Sequence, residues 1–149
     1  MKLEDEIKQS KFVTERQKAI INIIYTANWI SSVQHKLFKK NNLTAPQYNV
    51  LRILRGHSPE ALTVSSIQER MLDKMSNASR LVDKLVEKGY ALRSINDVDR
   101  RQVDVTVTDK GLAILEKIAP DLSKFHDEMI SIPEEEAELV NKVLDKIRG

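Results

Sequence analysis

Cysteine is absent from the chain, which excludes disulfide bonds and thiol-based redox sensing. Glycine is scarce, at four residues, and no glycine-rich phosphate loop or GxSxG elbow occurs. His35, His57 and His126 are scattered, outside any HExxH or paired zinc-ligand spacing. These absences argue against an enzyme, and neither a cofactor nor a metal is expected. No apolar run approaches the ~18 residues of a membrane span. The opening MKLEDEIKQS is too polar and acidic for a signal peptide. A cytoplasmic protein without membrane contact is the expectation. An excess of one charge is also lacking: the net charge is only +2, so affinity for nucleic acid would have to come from local clustering. What is present, 41% hydrophobic and 31% charged residues in a chain of 149, suits a globular protein with a real core.

The chain is organised around residues 63–108. Within Met75 to Gly89, Ala78, Leu81, Val82 and Leu85 recur at three- and four-residue steps and define one apolar helix face. Ser76, Arg80, Asp83, Lys84 and Glu87 lie opposite, with Asn77 and Ser79 on the flanks. Gly89 suits the left-handed residue past a helix end, and Asp73 or Ser76 suits the N-cap. Ser76, Asn77, Ser79 and Arg80 crowd small or bidentate hydrogen-bonding groups into one turn. Such groups reach base edges or phosphates in a major groove, and recognition helices read with their N-terminal residues. A plain solvated face with capping residues explains this helix equally well.

A hairpin follows. Val103, Val105 and Val107 alternate with Gln102, Asp104 and Thr106, the period of a half-buried strand. Residues 90–95 are its expected partner, and Asn96 to Arg101 is turn-rich. Arg100 and Arg101 at the tip suit phosphates or a narrow minor groove. Alternatively, Asp97 and Asp99 simply pair with them. The order helix, turn, helix, hairpin reads as a winged helix.

The run Arg80-Leu81-Val82-Asp83-Lys84-Leu85-Val86-Glu87-Lys88-Gly89, then Asp99-Arg100-Arg101, then Val105-Thr106-Val107-Thr108-Asp109-Lys110-Gly111, resembles the MarR family of bacterial transcription regulators in order and spacing. Val107 replaces the usual leucine, and Met75-Ser76-Asn77 falls where the family varies. The resemblance implies a mainly α fold with a small β-hairpin: a winged helix-turn-helix core flanked by N- and C-terminal dimerisation helices. It implies a homodimer on a pseudo-palindromic operator in double-stranded DNA, acting as a repressor. Ser76, Asn77, Ser79, Arg80, Lys84, Arg100 and Arg101 would then contact DNA, with Asp99 orienting the wing arginines. It also implies a cleft between dimer helices and reader for a small aromatic ligand. Tyr25, Trp29 and Tyr48 are candidates to line it, although core packing is their simpler role. A winged-helix module that binds protein rather than DNA is the alternative reading.

The remaining chain frames this reader. Residues 1–9 are expected to fray. A helix over 10–40 carries a broad apolar stripe, including Val13, Ile20, Ile23, Ile24 and Ala27, that calls for more than one partner surface. Thr44 and Gln47 form a capping box, with Pro46 in the first turn, and Gly56 to Glu60 reads as a loop. Thr63 caps a short support helix. Thr108 caps a helix that Pro120 should kink or split, and Pro133 opens the last helix. The expected layout is one domain over 1–149, with a reader at 44–108 and dimerisation helices at 10–40 and 109–148.

Overall fold

The computed structural model describes residues 1–129 and 131–149. Its elements run α1 (Leu3–Ile7), α2 (Glu15–Lys40), α3 (Ala45–His57), β1 (Leu62–Thr63), α4 (Val64–Arg70), α5 (Ala78–Glu87), β2 (Ala91–Ile95), β3 (Val103–Val107), α6 (Asp109–Met129) and α7 (Glu134–Arg148). Two compact units result, residues 1–115 and 116–149.

In the first unit the core forms where α3, α4 and α5 meet, with Val50, Leu51, Leu54, Ile67, Met71, Val82 and Leu85 essentially sealed from solvent. Three antiparallel strands in the order β1-β3-β2 complete it. The central position of β3 explains why Val105 is its buried residue: it pairs with Leu62 of β1 on one side and Arg93 of β2 on the other. The hairpin is as expected. The third strand, β1, has only two residues and carries no alternation to betray it.

Local signals and tertiary contacts together set the helix limits. The capping box at Thr44 and Gln47 is present in full. A second T-x-x-Q does similar work earlier: Thr14 Oγ1 accepts from the Gln17 N–H, and Gln17 Oε1 accepts from the Val13 N–H. It places the start of α2 at Glu15 rather than near residue 10. Residues 3–7, expected to fray, form α1. Five residues do not hold a helix alone; here Leu3 is buried, Glu4 pairs with Lys18, and Glu6 accepts from the Tyr25 hydroxyl at 2.6 Å. The expected loop at Gly56 is instead the last turn of α3, which runs to His57. An added Cβ at Gly56 would meet nothing within 4 Å.

Pro120 does not split α6, which continues through it. One missing N–H and its displaced carbonyl cost little where that carbonyl reaches water; Glu116 and Pro120 are both exposed, and Ile118 and Leu122 on either side are buried. In α7, Leu139, Val140, Val143 and Ile147 are exposed. Among the described residues no helix is long and apolar enough to cross a membrane.

Candidate nucleic-acid interface

The second helix of the reader, α5, begins later than its periodicity suggests. Asn77 has extended backbone, and its Oδ1 accepts from the Arg80 N–H at 3.0 Å, so Asn77 is the N-cap and the helix starts at Ala78. Neither Asp73 nor Ser76 holds that position. Asp73 instead shapes the preceding turn, accepting from the Met75 N–H at 2.9 Å and the Ser76 hydroxyl at 2.7 Å. These bonds hold its carboxyl below the usual range, the Ser76 hydroxyl first. The α4–α5 turn is further fixed by two side chains from its surroundings. Gln68 accepts from the Ala78 N–H at 3.0 Å and donates to the Lys74 carbonyl at 3.2 Å, while Asn49 of α3 accepts from the Leu72 N–H at 2.9 Å.

Ser76 and Asn77 therefore belong to the turn that leads into α5, and both are committed to intramolecular bonds. Ser79 and Arg80 occupy its first turn, exposed, with no side-chain partner among the described residues. Lys84 pairs with Glu87 at 2.8 Å, both well exposed, a contact too weak to hold the ammonium against a phosphate. Asp83 faces the wing and is paired with Arg93 of β2. That pairing compensates a carboxylate that would otherwise oppose an anionic ligand.

The far end of α5 has a Schellman closure: Gly89 has φ +73, the Gly89 N–H reaches the Val86 carbonyl, and the Tyr90 N–H reaches that of Leu85. The start of α6 docks on this closure. The Thr108 hydroxyl donates to the Gly89 carbonyl at 2.7 Å and accepts from the Gly111 N–H at 3.0 Å. Lys110 donates to the Lys88 carbonyl at 2.8 Å and lies over the Tyr90 ring. Two motif pieces some twenty residues apart thus form a single joint.

The wing turn is built by Asn96 and Asp99. Asn96 Oδ1 accepts from the N–H groups of Val98 and Asp99 at 2.9 and 2.8 Å, and its amide donates to Asp104. Asp99 accepts from the Arg101 N–H at 3.0 Å, from Gln102 at 3.2 Å and from Arg101 Nε at 3.3 Å; in that order these bonds hold its carboxyl below the usual range. A carboxyl so depressed supports the turn above its ordinary pKa, and that support fades as pH falls through the lowered value. Wing amide chemical shifts are expected to stay constant near neutral pH and to move in acid. The Arg101 side chain is 93% exposed despite this tether, and Arg100 is exposed with no partner among the described residues. Asp99 thus touches Arg101 but not Arg100, and Asp97 pairs with neither.

Tyr25 and Trp29 share a cavity beside α1, whereas Tyr48 stacks on Phe38 at 4.7 Å and receives a long bond from Arg52. The three do not form one pocket.

The MarR family model matches residues 43–103. The HTH-type transcriptional regulator MhqR of Bacillus subtilis (strain 168) is 31% identical over 121 residues, covering 79% of this chain and 81% of its own. The chain belongs to the MarR family. Its relatives are named as transcriptional regulators, not enzymes. A MarR family transcriptional regulator from Silicibacter pomeroyi superposes with a TM-score of 0.72 at 28% identity, over 87% of this chain and 86% of that one. A mutant of E. coli MarR, solved complexed with operator DNA, shares the fold with a TM-score of 0.79 at 22% identity, over 93% and 99%. Membership of this family of HTH-type transcriptional regulators makes the winged helix a DNA-binding element.

Sequence reasoning missed Gln68, Asn49 and the Arg93–Asp83 pair within this element. Nothing local marks them, because each acts on a group supplied by a different element. The Asn77 cap did have a local signal, a good capping residue standing directly before the apolar period that begins at Ala78. Asn77→Asp is expected to leave stability near wild type, since Asp caps as well as Asn, while placing a charge that repels phosphate. Asn77→Ala should cost about 1 kcal/mol. Urea titration and duplex binding, measured on both variants, check this pair of outcomes.

Proposed function

We propose that the chain is a cytoplasmic, homodimeric, sequence-specific repressor that binds a pseudo-palindromic operator. The observation that carries this reading is the first turn of α5, where Ser79 and Arg80 project outward and free of intramolecular partners among the described residues. In this role Arg80 reads a base edge, guanine being its geometric match, and Ser79 meets a base or phosphate. Ser76 and Asn77 offer only the capacity left over from the turn. Lys84 exchanges Glu87 for the backbone, and Arg100 and Arg101 lie along the flanking minor groove.

The dimer rests on a separate observation. Val13, just ahead of α2, and Ile20 and Ile24 on it are more than half exposed, and on α7 so are Leu139 and Ile147. Aliphatic surface on this scale favours burial. A second copy would also double the base contacts of a small reader. In this layout residues 44–108 read DNA and the helices within 10–40 and 109–148 join two copies in one domain assembly. Release from DNA by a small ligand belongs to the same reading.

Fluorescence anisotropy with duplex DNA at several salt concentrations tests the interface. Arg101→Ala is expected to weaken binding and to make the slope of log affinity against log salt shallower by about one unit for each phosphate no longer neutralised. An unchanged slope and affinity would remove the wing from the interface. Light scattering should give twice the 17.1 kDa chain mass at micromolar concentration, and a stable monomer there would overturn the dimer.

A further inference from the structure

A cavity of about 270 Å³ lies between α1 and α2 and includes Leu3, Glu6, Asn22, Tyr25, Thr26 and Trp29 in its lining. No reader element contributes to it. Its face of α2 also differs from the uncovered aliphatic stripe: at about 100° per residue, Trp29 lies about 180° round the helix from Ile20. The pocket is thus distinct from the surface assigned to dimerisation.

Met1 also lines the cavity, and its amino terminus makes no ion pair with Glu6 among the described residues. Two aromatic rings line it, and Trp29 is half exposed. Glu6 is the one charged side chain among the described lining residues, and no Lys, Arg or His is among them. Tyr25 donates its hydroxyl to one Glu6 oxygen at 2.6 Å, and this bond raises the phenol's pKa, keeping it neutral. A single donor leaves most of a carboxylate's acceptor capacity open. The nearby ammonium of Lys18 does not fill it, because Lys18 is paired with Glu4. Rings flanking a carboxylate attract organic cations through their quadrupoles, and the same field rejects carboxylates.

We propose that the α1–α2 cavity is a binding site for a small aromatic cation, an aryl-substituted quaternary ammonium, with Glu6 as its counter-ion and Trp29 and Tyr25 against its ring and methyl groups. The volume is at the lower end for ligand pockets and fits one ring with a compact ammonium. This site is independent of DNA binding.

Trp29 is the only tryptophan in the chain, so intrinsic emission reports on the cavity directly. The full chain is titrated with phenyltrimethylammonium and, as an isosteric anion, benzoate. The cation is expected to change Trp29 emission saturably, and benzoate is not. Glu6→Gln should weaken the cation by about fivefold. Asp5→Asn, which removes the same charge from an exposed position of α1, should leave the affinity near wild type. Tyr25→Phe removes the hydroxyl but keeps ring and carboxylate, and should still bind, so a collapse of α1 in Glu6→Gln is distinguishable from loss of the counter-ion. The proposal is overturned by benzoate binding as well as the cation, by no saturable change with the cation, or by equal losses in Glu6→Gln and Asp5→Asn.

Discussion

Replacing Arg80 with alanine is expected to weaken binding to the preferred duplex by about 1–3 kcal/mol, roughly 5- to 150-fold, and to relax preference at one base pair in each half-site. The size of the effect follows from what Arg80 does not do. Its backbone N–H is committed to the Asn77 cap, but its guanidinium has no side-chain partner among the described residues and is exposed. Truncation therefore removes no bond that holds the fold, and the folded stability should hardly move. The whole loss falls on the complex. Lys84→Ala should behave differently, because the Lys84–Glu87 pair is solvent-exposed and its ammonium is assigned to the phosphate backbone. Its loss is expected to be smaller, uniform across sequences and visible as a shallower salt slope. Anisotropy with a panel of single-base duplex variants separates the two patterns. Wild-type affinity and an unaltered base profile for Arg80→Ala would show that the wrong face of α5 has been assigned.

Gly111→Ala is expected to destabilise the chain by about 1–3 kcal/mol. The reason is a close approach, not an unusual φ. A Cβ at Gly111 would sit 2.2 Å from the Tyr90 carbonyl oxygen and 2.8 Å from Val107 Cγ2. Neither neighbour can easily retreat. Tyr90 is held by its N–H to the Leu85 carbonyl, and its own carbonyl accepts from the Thr108 N–H at 3.1 Å. Val107 is in register with Ala91. Relief requires the first turn of α6 to lift from the end of α5, which breaks the Thr108 bonds to Gly89 and Gly111. Gly56→Ala is the control. Its added methyl meets nothing within 4 Å inside α3, so alanine is expected to be neutral or to stabilise by up to about 1 kcal/mol. Urea unfolding with unchanged m-values checks both. A Gly111→Ala midpoint at or above that of wild type would contradict a tight α5–α6 joint.

The difference between these two glycines shows what sequence alone conveys. Gly111 stands in the motif that resembles the family, but its reason, a backbone carbonyl twenty-one residues earlier, exists only in three dimensions. The same holds for α1. Its five residues look too short and too charged to persist, and the contacts that hold it come from Lys18 and Tyr25. Patterns within one element were legible: the apolar period of α5, the alternation of β3, the capping box of α3 and the left-handed Gly89. The start of α5 was blurred because Met75 and Ser76 extend the helical period by a turn, while Asn77 and Gln68 together end it. At the wing, the sequence placed Asp99 beside both arginines. The turn geometry directs it to Arg101 and leaves Arg100 unengaged.

The outward face of α5, doubled by a second copy, is assigned to reading a specific duplex. The decisive experiment is selection of bound sequences from random double-stranded DNA by the purified chain, followed by affinities at two salt concentrations. Enrichment of an inverted repeat is expected, with tight, salt-sensitive binding that is lost in Arg80→Ala. Failure to enrich any sequence at low salt, or enrichment of an unrepeated site bound equally well by Arg80→Ala, would contradict this assignment.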